Sequence, residues 1–353
     1  MKPVKSILVI RFRQMGDMIL ATAMINALKE TYPEATVDVV LNERIAPLFQ
    51  HHKSIDNILA FSDDERHNFL QYLTKVWKVV HAKHYDVIID MRSTVNTLPF
   101  TLFSLGSRYR MGIRKPYTPL LFNHRVGGCK SDESMLDHNF KLIQPLLPDN
   151  GKRTVHSKFT IDITEAEKDE FAKQMAEKGI DFTRPIMIAG VTAKLPEKTW
   201  VKERMAETLR LFHKEFPDCQ IIFNYAPGRE EESALEIHRM LDTDKDILID
   251  IQAKSPRELA AMASLSTFYF GNEGGARHIV QAMGKPSFVI CSPMASKKTW
   301  LPEDEKIPTE GISPADIIAA DRLPEMDAAA RYDAITVERV WQRLLPFCKK
   351  LGI

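Results

Sequence analysis

Short apolar runs alternate with amphipathic segments along the first half of the chain, and this alternation predicts strands separated by helices. Runs that are apolar almost throughout are typical of strands covered on both faces of a sheet. Apolar residues three and four positions apart predict helices with one buried face. We therefore predict strands over residues 6–12, 36–41, 55–60 and 85–91, and helices over residues 18–32, 43–49, 69–81, 97–105 and 134–147.

A second series of the same kind follows in the other half of the chain. It predicts strands over residues 185–190, 220–225, 268–270 and 287–291, and helices over residues 164–179, 201–216, 255–264, 276–283 and 337–351, with one more opening at 228. Residues 296–319 are polar and are predicted to form an ordered loop, and the last helix is predicted to be interrupted at Pro346. Two such series predict an α/β protein with two Rossmann-like domains facing across a cleft. We place the domains at residues 1–165 and 166–330, followed by a C-terminal helix within 331–353.

The stretch from Phe268 to Pro286 has the largest number of features that can bind a ligand. A strand at Phe268–Phe270 leads through the glycine-rich turn Gly271–Gly275 into a helix that ends before Gly284. The first N–H groups of such a helix and the positive end of its dipole favour a phosphate group. Glu273 adds a carboxylate that can hold sugar hydroxyls. The alternative, that the glycines serve only the packing of a strand against a helix, stays open on this pattern alone.

A second candidate site follows the first strand, where the short loop Arg13–Asp17 leads into a helix. The spacing allows two interpretations of Asp17. It is either an ordinary residue at the helix N-terminus, where a carboxylate is favourable, or a functional carboxylate at the carboxyl edge of the sheet. No G-x-G-x-x-G motif follows this strand, which disfavours a dinucleotide oxidoreductase.

Composition narrows the class of protein. The 353 residues are 44% hydrophobic and 27% charged, with a formal net charge of +1, as expected for a globular protein without a nucleic-acid partner. Four scattered cysteines without a C-x-x-C pair predict neither a disulfide framework nor a zinc site, and favour a reducing cytoplasm. The acidic run Asp242–Asp246 is interpreted as a solvated turn rather than a metal site. No signal peptide or membrane-spanning segment is expected.

Two motifs more than 200 residues apart resemble those of one enzyme family. They are Arg-x-x-x-Met-Gly-Asp, which ends at Asp17, and Gly-Asn-acid-x-Gly-x-x-His-x-x-x-Ala-x-Gly-Lys-Pro, which ends at Pro286. Both resemble the bacterial heptosyltransferases of glycosyltransferase family 9, which assemble the lipopolysaccharide core. Lys198-Thr-Trp200 resembles a third motif of that family. The chain departs from the family pattern at Glu273, where aspartate is usual, and at Gly274, where serine or threonine is frequent.

The resemblance implies a GT-B fold whose last helix returns to the first domain, and it implies roles for individual residues. Asp17 would be the catalytic base, with Met15, Gly16 and Arg92 on the acceptor side. For the strand-end pair Asp90 and Arg92, the alternative is that they only pack a loop. The implied donor-binding residues are Thr192, Lys198, Glu230, Glu273, Gly274, Gly275 and His278. Glu231 is the alternative to Glu230 for the ribose, and His278 is either a phosphate contact or a packed histidine.

The implied activity is transfer of heptose from ADP-heptose to a lipopolysaccharide core acceptor, with inversion at the anomeric carbon and without a metal or other cofactor. Two alternatives stay open. Glu273 and Gly274 would reshape the sugar pocket for another nucleotide-sugar donor, or the chain would be a non-catalytic nucleotide-sugar-binding homologue. We expect a cytoplasmic protein that contacts the inner membrane peripherally. The basic run Arg108–Lys115 is either a solvated face or a contact with the acceptor or the membrane.

Overall fold

The computed structural model describes residues 3–148, 158–241, 246–302 and 306–353. They form two compact units, Met1–Asp162 and Ile163–Ile353, and the division lies close to the boundary expected at residue 165. Each unit contains a six-stranded sheet in which every described pair of neighbouring strands is parallel. The predicted α/β class is confirmed.

The sheet of the first unit has the strand order β3-β2-β1-β4-β5-β6. All five residues of the central strand β1 are buried, as its apolar sequence predicts. The turn at Glu43–Phe49, predicted as a helix, is a 3-10 helix. The elements are β1 Ser6–Ile10, α1 Met15–Thr31, β2 Thr36–Asn42, β3 Asn57–Phe61, α2 Asp63–His67, α3 Phe69–Ala82, β4 Val87–Asp90, α4 Leu98–Leu102, β5 Tyr109–Ile113, β6 His124–Val126 and α5 Met135–Ile143.

The sheet of the second unit has the strand order β12-β11-β10-β7-β8-β9. Its elements are α6 Glu165–Glu177, β7 Ile186–Gly190, α7 Lys202–Glu215, β8 Gln220–Phe223, α8 Arg229–Arg239, β9 Ile247–Leu248, α9 Pro256–Leu265, β10 Phe268–Asn272, α10 Gly275–Ala282, β11 Ser287–Ile290, α11 Lys297–Trp300, β12 Thr309–Ile312, α12 Ala328–Asp333 and α13 Val337–Lys350. In each sheet the order reverses direction beside a central strand, and parallel sheets bind ligands at such points, beyond the carboxyl ends of the strands.

Three predicted features differ from the structure. The loop predicted over residues 296–319 contains α11 and β12, and the basic run 108–115 contains β5, whose polar residues hid the strand pattern. The last helix, α13, is continuous through Pro346. Its apolar residues Val340, Leu344 and Phe347 belong to the core of the second unit, and the expected contact of this helix with the first domain stays a prediction. They meet α7, β11 and β12, and this burial offsets the hydrogen bond that proline cannot donate.

Candidate active site

In the first unit, the candidate base stands at the carboxyl edge of the two central strands. Ile10 and Asp90, the last residues of β1 and β4, are register partners, so the loops that follow these strands are neighbours. Met15 and Gly16 open α1 and are partly exposed, while Asp17 in the same first turn is only 7% exposed. The residue at the N-cap is Gln14, which makes no side-chain cap.

Asp17 is held by arginines. Its Oδ1 atom accepts a hydrogen bond of 2.9 Å from Nη2 of Arg11 and lies 3.6 Å from Nε of Arg13. The Nη1 atom of Arg11 donates to the carbonyl of Met91, 3.0 Å away, which ties the pair to the end of the neighbouring strand. Burial lowers the pKa of Arg11 to about 10, against the opposing effect of the Asp17 charge, so Arg11 is a cation at neutral pH. Asp17 is therefore an ion-paired carboxylate at the sheet edge, and not a helix cap.

Asp90 and Arg92 were predicted either to face the acceptor or to pack a loop, and the two residues differ in this respect. Asp90 is fully buried, and its Oδ1 accepts from the backbone N–H groups of Arg92 and Ser93 at 2.9 and 2.7 Å. Burial raises the pKa of Asp90, while these hydrogen bonds oppose the rise. Asp90 thus packs the turn. Arg92 is partly exposed, and its Nη1 donates to the carbonyl of Phe12 at 2.8 Å, which places a third guanidinium near Asp17.

Ser93 was missed by the sequence analysis. It is buried and has a positive φ of 49°, a conformation that is uncommon outside glycine and is concentrated at functional turns. Its Oγ accepts from the N–H of Ile113 at 2.8 Å and so joins the turn after β4 to the end of β5. No side-chain pattern in the sequence marks such a backbone conformation.

In the second unit, two glycines on neighbouring strands occupy positions that have no room for a side chain. Gly190 ends β7 and is the register partner of Gly271 in β10. A Cβ on Gly190 would lie 1.9 Å from the hydroxyl of Tyr269. Gly271 has φ +146°, and a Cβ there would lie 2.3 Å from the carbonyl oxygen of Gly190. Both positions therefore require glycine, and the loops that leave these strands start side by side.

The predicted donor residues of this unit form two pairs. Lys198 Nζ lies 3.0 Å from Oε1 of Glu273, whose Oε2 also accepts from the N–H of Ser292 at 3.3 Å. Thr192 Oγ1 donates to Oε2 of Glu230 at 2.9 Å. The side chain of Lys198 is 31% exposed and that of Glu273 is 8% exposed, so the lysine is the partner that reaches solvent.

Asn272 is a second residue that the sequence analysis did not single out. Its Oδ1 accepts from the N–H of Trp200 at 2.8 Å, and its Nδ2 donates to the carbonyl of Gly190 at 3.0 Å. The indole N–H of Trp200 in turn donates to the carbonyl of Ile335 at 3.0 Å. These bonds fix the loop that carries Lys198 against the ends of β7 and β10. The position of Asn272, directly before Glu273 at a strand end, was the available signal.

The helix after the glycine-rich turn is α10, with Gly274 at its N-cap and Gly275 as its first residue. Gly274 has an extended φ of 176°, and a Cβ there would meet nothing within 4 Å, so this position has room for a side chain. Since Gly275 opens the helix, its N–H and those that follow it are the free donors of the first turn.

His278 is a buried, neutral side chain. Burial, with the nearby charges of Arg277 and Lys198, holds its pKa well below the usual range. Its Nε2 is 3.0 Å from Nη2 of Arg277, which also donates to the carbonyl of Trp300 at 2.6 Å. The Nδ1 atom has no hydrogen-bond partner among the described residues. Of the two interpretations, these contacts favour a packed histidine.

Residues 242–245, most of the acidic run interpreted as a turn, lie outside the described residues. Within the described ranges, one group has donor atoms close enough to share a metal ion: Cys129, Glu133 and His138, all within 4.8 Å of one another. The carboxylate of Glu133 is already paired with Lys141. Burial raises the pKa of the Cys129 thiol and lowers that of His138. This group is part of the first unit and contributes none of the predicted site residues.

Two parallel α/β units of this kind are the architecture of the GT-B fold. The chain belongs to glycosyltransferase family 9 (heptosyltransferase), because the sequence pattern of that family matches residues 73–306. The chain is 21% identical over 289 residues to lipopolysaccharide heptosyltransferase 1 of Campylobacter coli, which covers 80% of this chain and 83% of that protein.

Solved structures show the same fold. The family 9 glycosyltransferase of Veillonella parvula superimposes with a TM-score of 0.83 at 16% identity, covering 99% of both chains. The ADP-heptose lipopolysaccharide heptosyltransferase II of E. coli has a TM-score of 0.74 at 19% identity, covering 99% of this chain and 100% of that chain. Among the described helices of this protein, none has the length and apolar character needed to cross a membrane.

Proposed function

We propose that this enzyme transfers heptose from ADP-heptose to a hydroxyl group of the lipopolysaccharide core, with inversion at the anomeric carbon. The observation that carries the proposal is the pairing of an arginine-held carboxylate, Asp17, with a family match that spans residues 73–306. The named relatives are lipopolysaccharide heptosyltransferases, and the E. coli neighbour uses ADP-heptose by name.

Asp17 acts as the general base in this proposal. Both arginine contacts are made to Oδ1, which leaves Oδ2 as the oxygen that takes the acceptor proton. As that proton leaves, the acceptor oxygen forms a bond to the anomeric carbon, and the bond from that carbon to the β-phosphate oxygen breaks. ADP departs from the opposite face, so the configuration inverts. A positioned base of this kind typically contributes about 10²–10⁴-fold to the rate.

Lys198 and the first N–H groups of α10 stabilise the charge that develops on the departing ADP. Such preorganised donors are usually the largest single contribution to catalysis. Glu273 orients Lys198 through their 3.0 Å pair and accepts hydrogen bonds from sugar hydroxyls. Glu230, held by Thr192 at 2.9 Å, serves the ribose. Because a lysine and a helix N-terminus supply the positive charge, the proposed reaction needs no divalent cation.

Two features favour a second candidate, a different nucleotide-sugar donor on the same scaffold. Glu273 is one methylene longer than the aspartate of the family pattern, and the space beside Gly274 is open to 4 Å. Both changes lie where the donor sugar would be recognised. The site in this case keeps its base and its phosphate contacts and differs only in the sugar that it accepts.

The test is calorimetric titration with ADP-heptose, ADP and UDP in the presence of EDTA, followed by turnover assays. We expect the ADP compounds to bind without metal, and we expect Asp17→Asn to bind them equally well but to turn over at least about 100-fold more slowly. Asp56→Asn is the control, since Asp56 lies at the opposite edge of the sheet, beside the start of β3. A preference for UDP would show that the donor is not an ADP-sugar. Equal turnover of Asp17→Asn and wild type would show that Asp17 is not the base and would favour a non-catalytic binding role.

A further inference from the structure

A cysteine, a glutamate and a histidine of the first unit come together where β6 leads into α5. Cys129 and Glu133 lie in the segment between these two elements, and His138 lies in the first turn of α5. The thiol sulfur, one carboxylate oxygen and one imidazole nitrogen all lie within 4.8 Å of one another. We call these three residues the α5 cluster. Thiolate, carboxylate and imidazole are the side-chain ligands that zinc takes in proteins, often from positions a few residues apart.

The carboxylate and the imidazole of the α5 cluster have the separation of two ligands on one ion. Oε2 of Glu133 lies 3.6 Å from Nδ1 of His138, which is longer than the roughly 2.7–3.2 Å of an ordinary hydrogen bond. Two ligand atoms that bind a tetrahedral zinc ion at bond lengths of about 2.0–2.2 Å lie about 3.3–3.5 Å apart. The observed distance is therefore closer to that of a shared ion than to that of a direct bond.

Two of the three ligands are shielded from solvent, and the third is accessible. The side chains of Glu133 and His138 are 10% and 9% exposed, whereas Cys129 is partly exposed. Lys141 donates to Oε1 of Glu133, which leaves Oε2 for an ion. Oε2 also accepts from the N–H of Lys130 at 3.3 Å, which holds the carboxylate beside the segment that carries the thiol. An ion can therefore approach from solvent at the sulfur and meet two ligands that are already in place.

The segment around Cys129 has room to complete the site. Gly127 and Gly128 are exposed, and a Cβ at either position would meet nothing within 4 Å. The thiol makes long contacts, at 3.7 and 3.8 Å, with the carbonyls of Lys130 and Glu133. A zinc–sulfur bond of about 2.3 Å places the sulfur about 3.6 Å from the other two ligand atoms. The sulfur therefore has to approach them by little more than about 1 Å.

The three residue types favour zinc over other ions and over another use of the thiol. Magnesium and calcium prefer oxygen ligands, whereas a thiolate with an imidazole favours zinc. A cysteine nucleophile needs a base that takes its proton, but the thiol of Cys129 is directed at backbone carbonyls. The sequence predicted no zinc site, because that prediction considered pairs of cysteines and not one cysteine with ligands of other types.

We propose that Cys129, Glu133 and His138 bind one zinc ion through Sγ, Oε2 and Nδ1, with water as the fourth ligand. Binding releases the thiol proton to solvent, and the thiolate and the carboxylate together balance the two charges of the ion. The ion joins the segment after β6 to the start of α5. Because the strands are parallel, this segment leaves the carboxyl edge of the sheet, at which Asp17 also stands. The inference goes beyond the proposed function and does not rest on it.

The experiment is equilibrium dialysis of the untagged full chain with Zn²⁺ against a competing chelator, with the bound metal measured by mass spectrometry. We expect one zinc ion per chain in the wild type. We expect Zn²⁺ affinity to fall about 100-fold or more in Cys129→Ser, Glu133→Gln and His138→Gln. Matched controls are His124→Gln on β6 and Asp137→Asn, an exposed residue of α5, and both are expected to bind zinc as the wild type does. Circular dichroism verifies that each variant is folded.

Two measurements on the wild type keep the test independent of the variants. Co²⁺, which occupies sites of this kind in place of zinc, should give the absorption of a tetrahedral complex with a thiolate ligand. Zn²⁺ should slow the alkylation of Cys129 by iodoacetamide, followed by mass spectrometry of the peptide that contains it. The other three cysteines are buried, so their alkylation reports unfolding instead.

Three outcomes would overturn the inference. They are equal zinc binding by ligand variants and controls, a Co²⁺ complex without thiolate absorption, and alkylation of Cys129 that Zn²⁺ leaves unchanged. Each would make Cys129 a free thiol beside an ordinary ion pair. Failure of the proposed function is distinguishable from these results. A protein that binds zinc at the α5 cluster but does not bind the ADP compounds would keep this inference and lose the proposed donor.

Discussion

The Nζ atom of Lys198 lies 3.0 Å from Oε1 of Glu273, although the two residues are 75 positions apart in the sequence. The pair joins the loop after β7 to the turn after β10. A lysine that is 31% exposed, beside a carboxylate that is 8% exposed, is a cation fixed in place at the surface of its unit. It can therefore receive a phosphate without first being ordered, which reduces the entropic cost of binding.

We expect Lys198→Met to lower kcat by about 10²–10³-fold, the usual loss when one donor to a developing negative charge is removed. Steady-state kinetics with a saturating acceptor measures this. The matched control is Lys202→Met, because Lys202 at the start of α7 forms an ion pair with Glu236 of α8. Equal losses in both variants would show that the effect is not local to the phosphate site.

Asn272→Ala is expected to destabilise the second unit by about 1–3 kcal/mol, because it leaves the buried N–H of Trp200 and the carbonyl of Gly190 without their partner. Freeing the loop of Lys198 should also weaken ADP binding. Urea unfolding and calorimetry measure the two effects separately. Unchanged ADP affinity in a destabilised variant would mean that Asn272 supports the fold but does not position Lys198.

Two glycines of the donor side are expected to respond differently to substitution. Gly190→Ala places a methyl group 1.9 Å from the hydroxyl of Tyr269, and we expect a loss of about 1–3 kcal/mol or more in the free energy of unfolding. Gly274→Ala meets nothing within 4 Å and should change stability by less than about 0.5 kcal/mol. Thermal unfolding of both variants tests this. Similar destabilisation by the two substitutions would contradict the described backbone geometry.

Stability is expected to fall as the pH drops below about 7. Burial lowers the pKa of His52, His138 and His278 from 6.5, so the unfolded chain binds these protons first. Their contribution is complete above pH 6.5 and is lost as the pH falls toward the lower folded pKa, at up to about 1.4 kcal/mol per pH unit for each histidine. Urea unfolding between pH 5 and 7.5 measures the slope, and His278→Gln should reduce it. An unchanged slope in that variant would mean that folding does not lower the pKa of His278.

The pattern of apolar residues was sufficient to predict most of the strands and helices of the fold. The strands around Val9, Ile188 and Phe270 are apolar and buried on both faces, so burial and sequence carry the same information there. β5 was hidden because it contains an arginine, Arg110, whose guanidinium bonds to the carbonyls of Leu121, Leu105 and Ser107 and so belongs to the structure rather than to a solvated face. This role depends on the positions of carbonyl groups in the folded chain, and the local sequence pattern gives no information about those positions.

The candidate site divides in the same way. Asp17, Lys198 and Glu273 stood in motifs, and Arg11 opens the motif that ends at Asp17, but the motifs did not show which of these residues pair. The ion pair of Arg11 with Asp17 and the positive φ of Ser93 are set by the folded conformations of the loops after β1 and β4. The alternatives for His278 needed the burial of its ring and the contact with Arg277 to be distinguished. The sequence showed which residues are able to do chemistry, and only the structure showed the contacts that hold them in place.

The bond from the indole of Trp200 to the carbonyl of Ile335 extends the candidate site beyond the segment that matches the family. Arg204, in the first turn of α7, reaches the same carbonyl at 3.1 Å. The segment around Ile335 therefore helps to hold the loop that carries Lys198 in place. Truncating the protein after residue 334, or displacing α13 with a fused partner, would remove these bonds. The first effect would be increased motion of Lys198, although this residue lies more than 100 positions from the truncation.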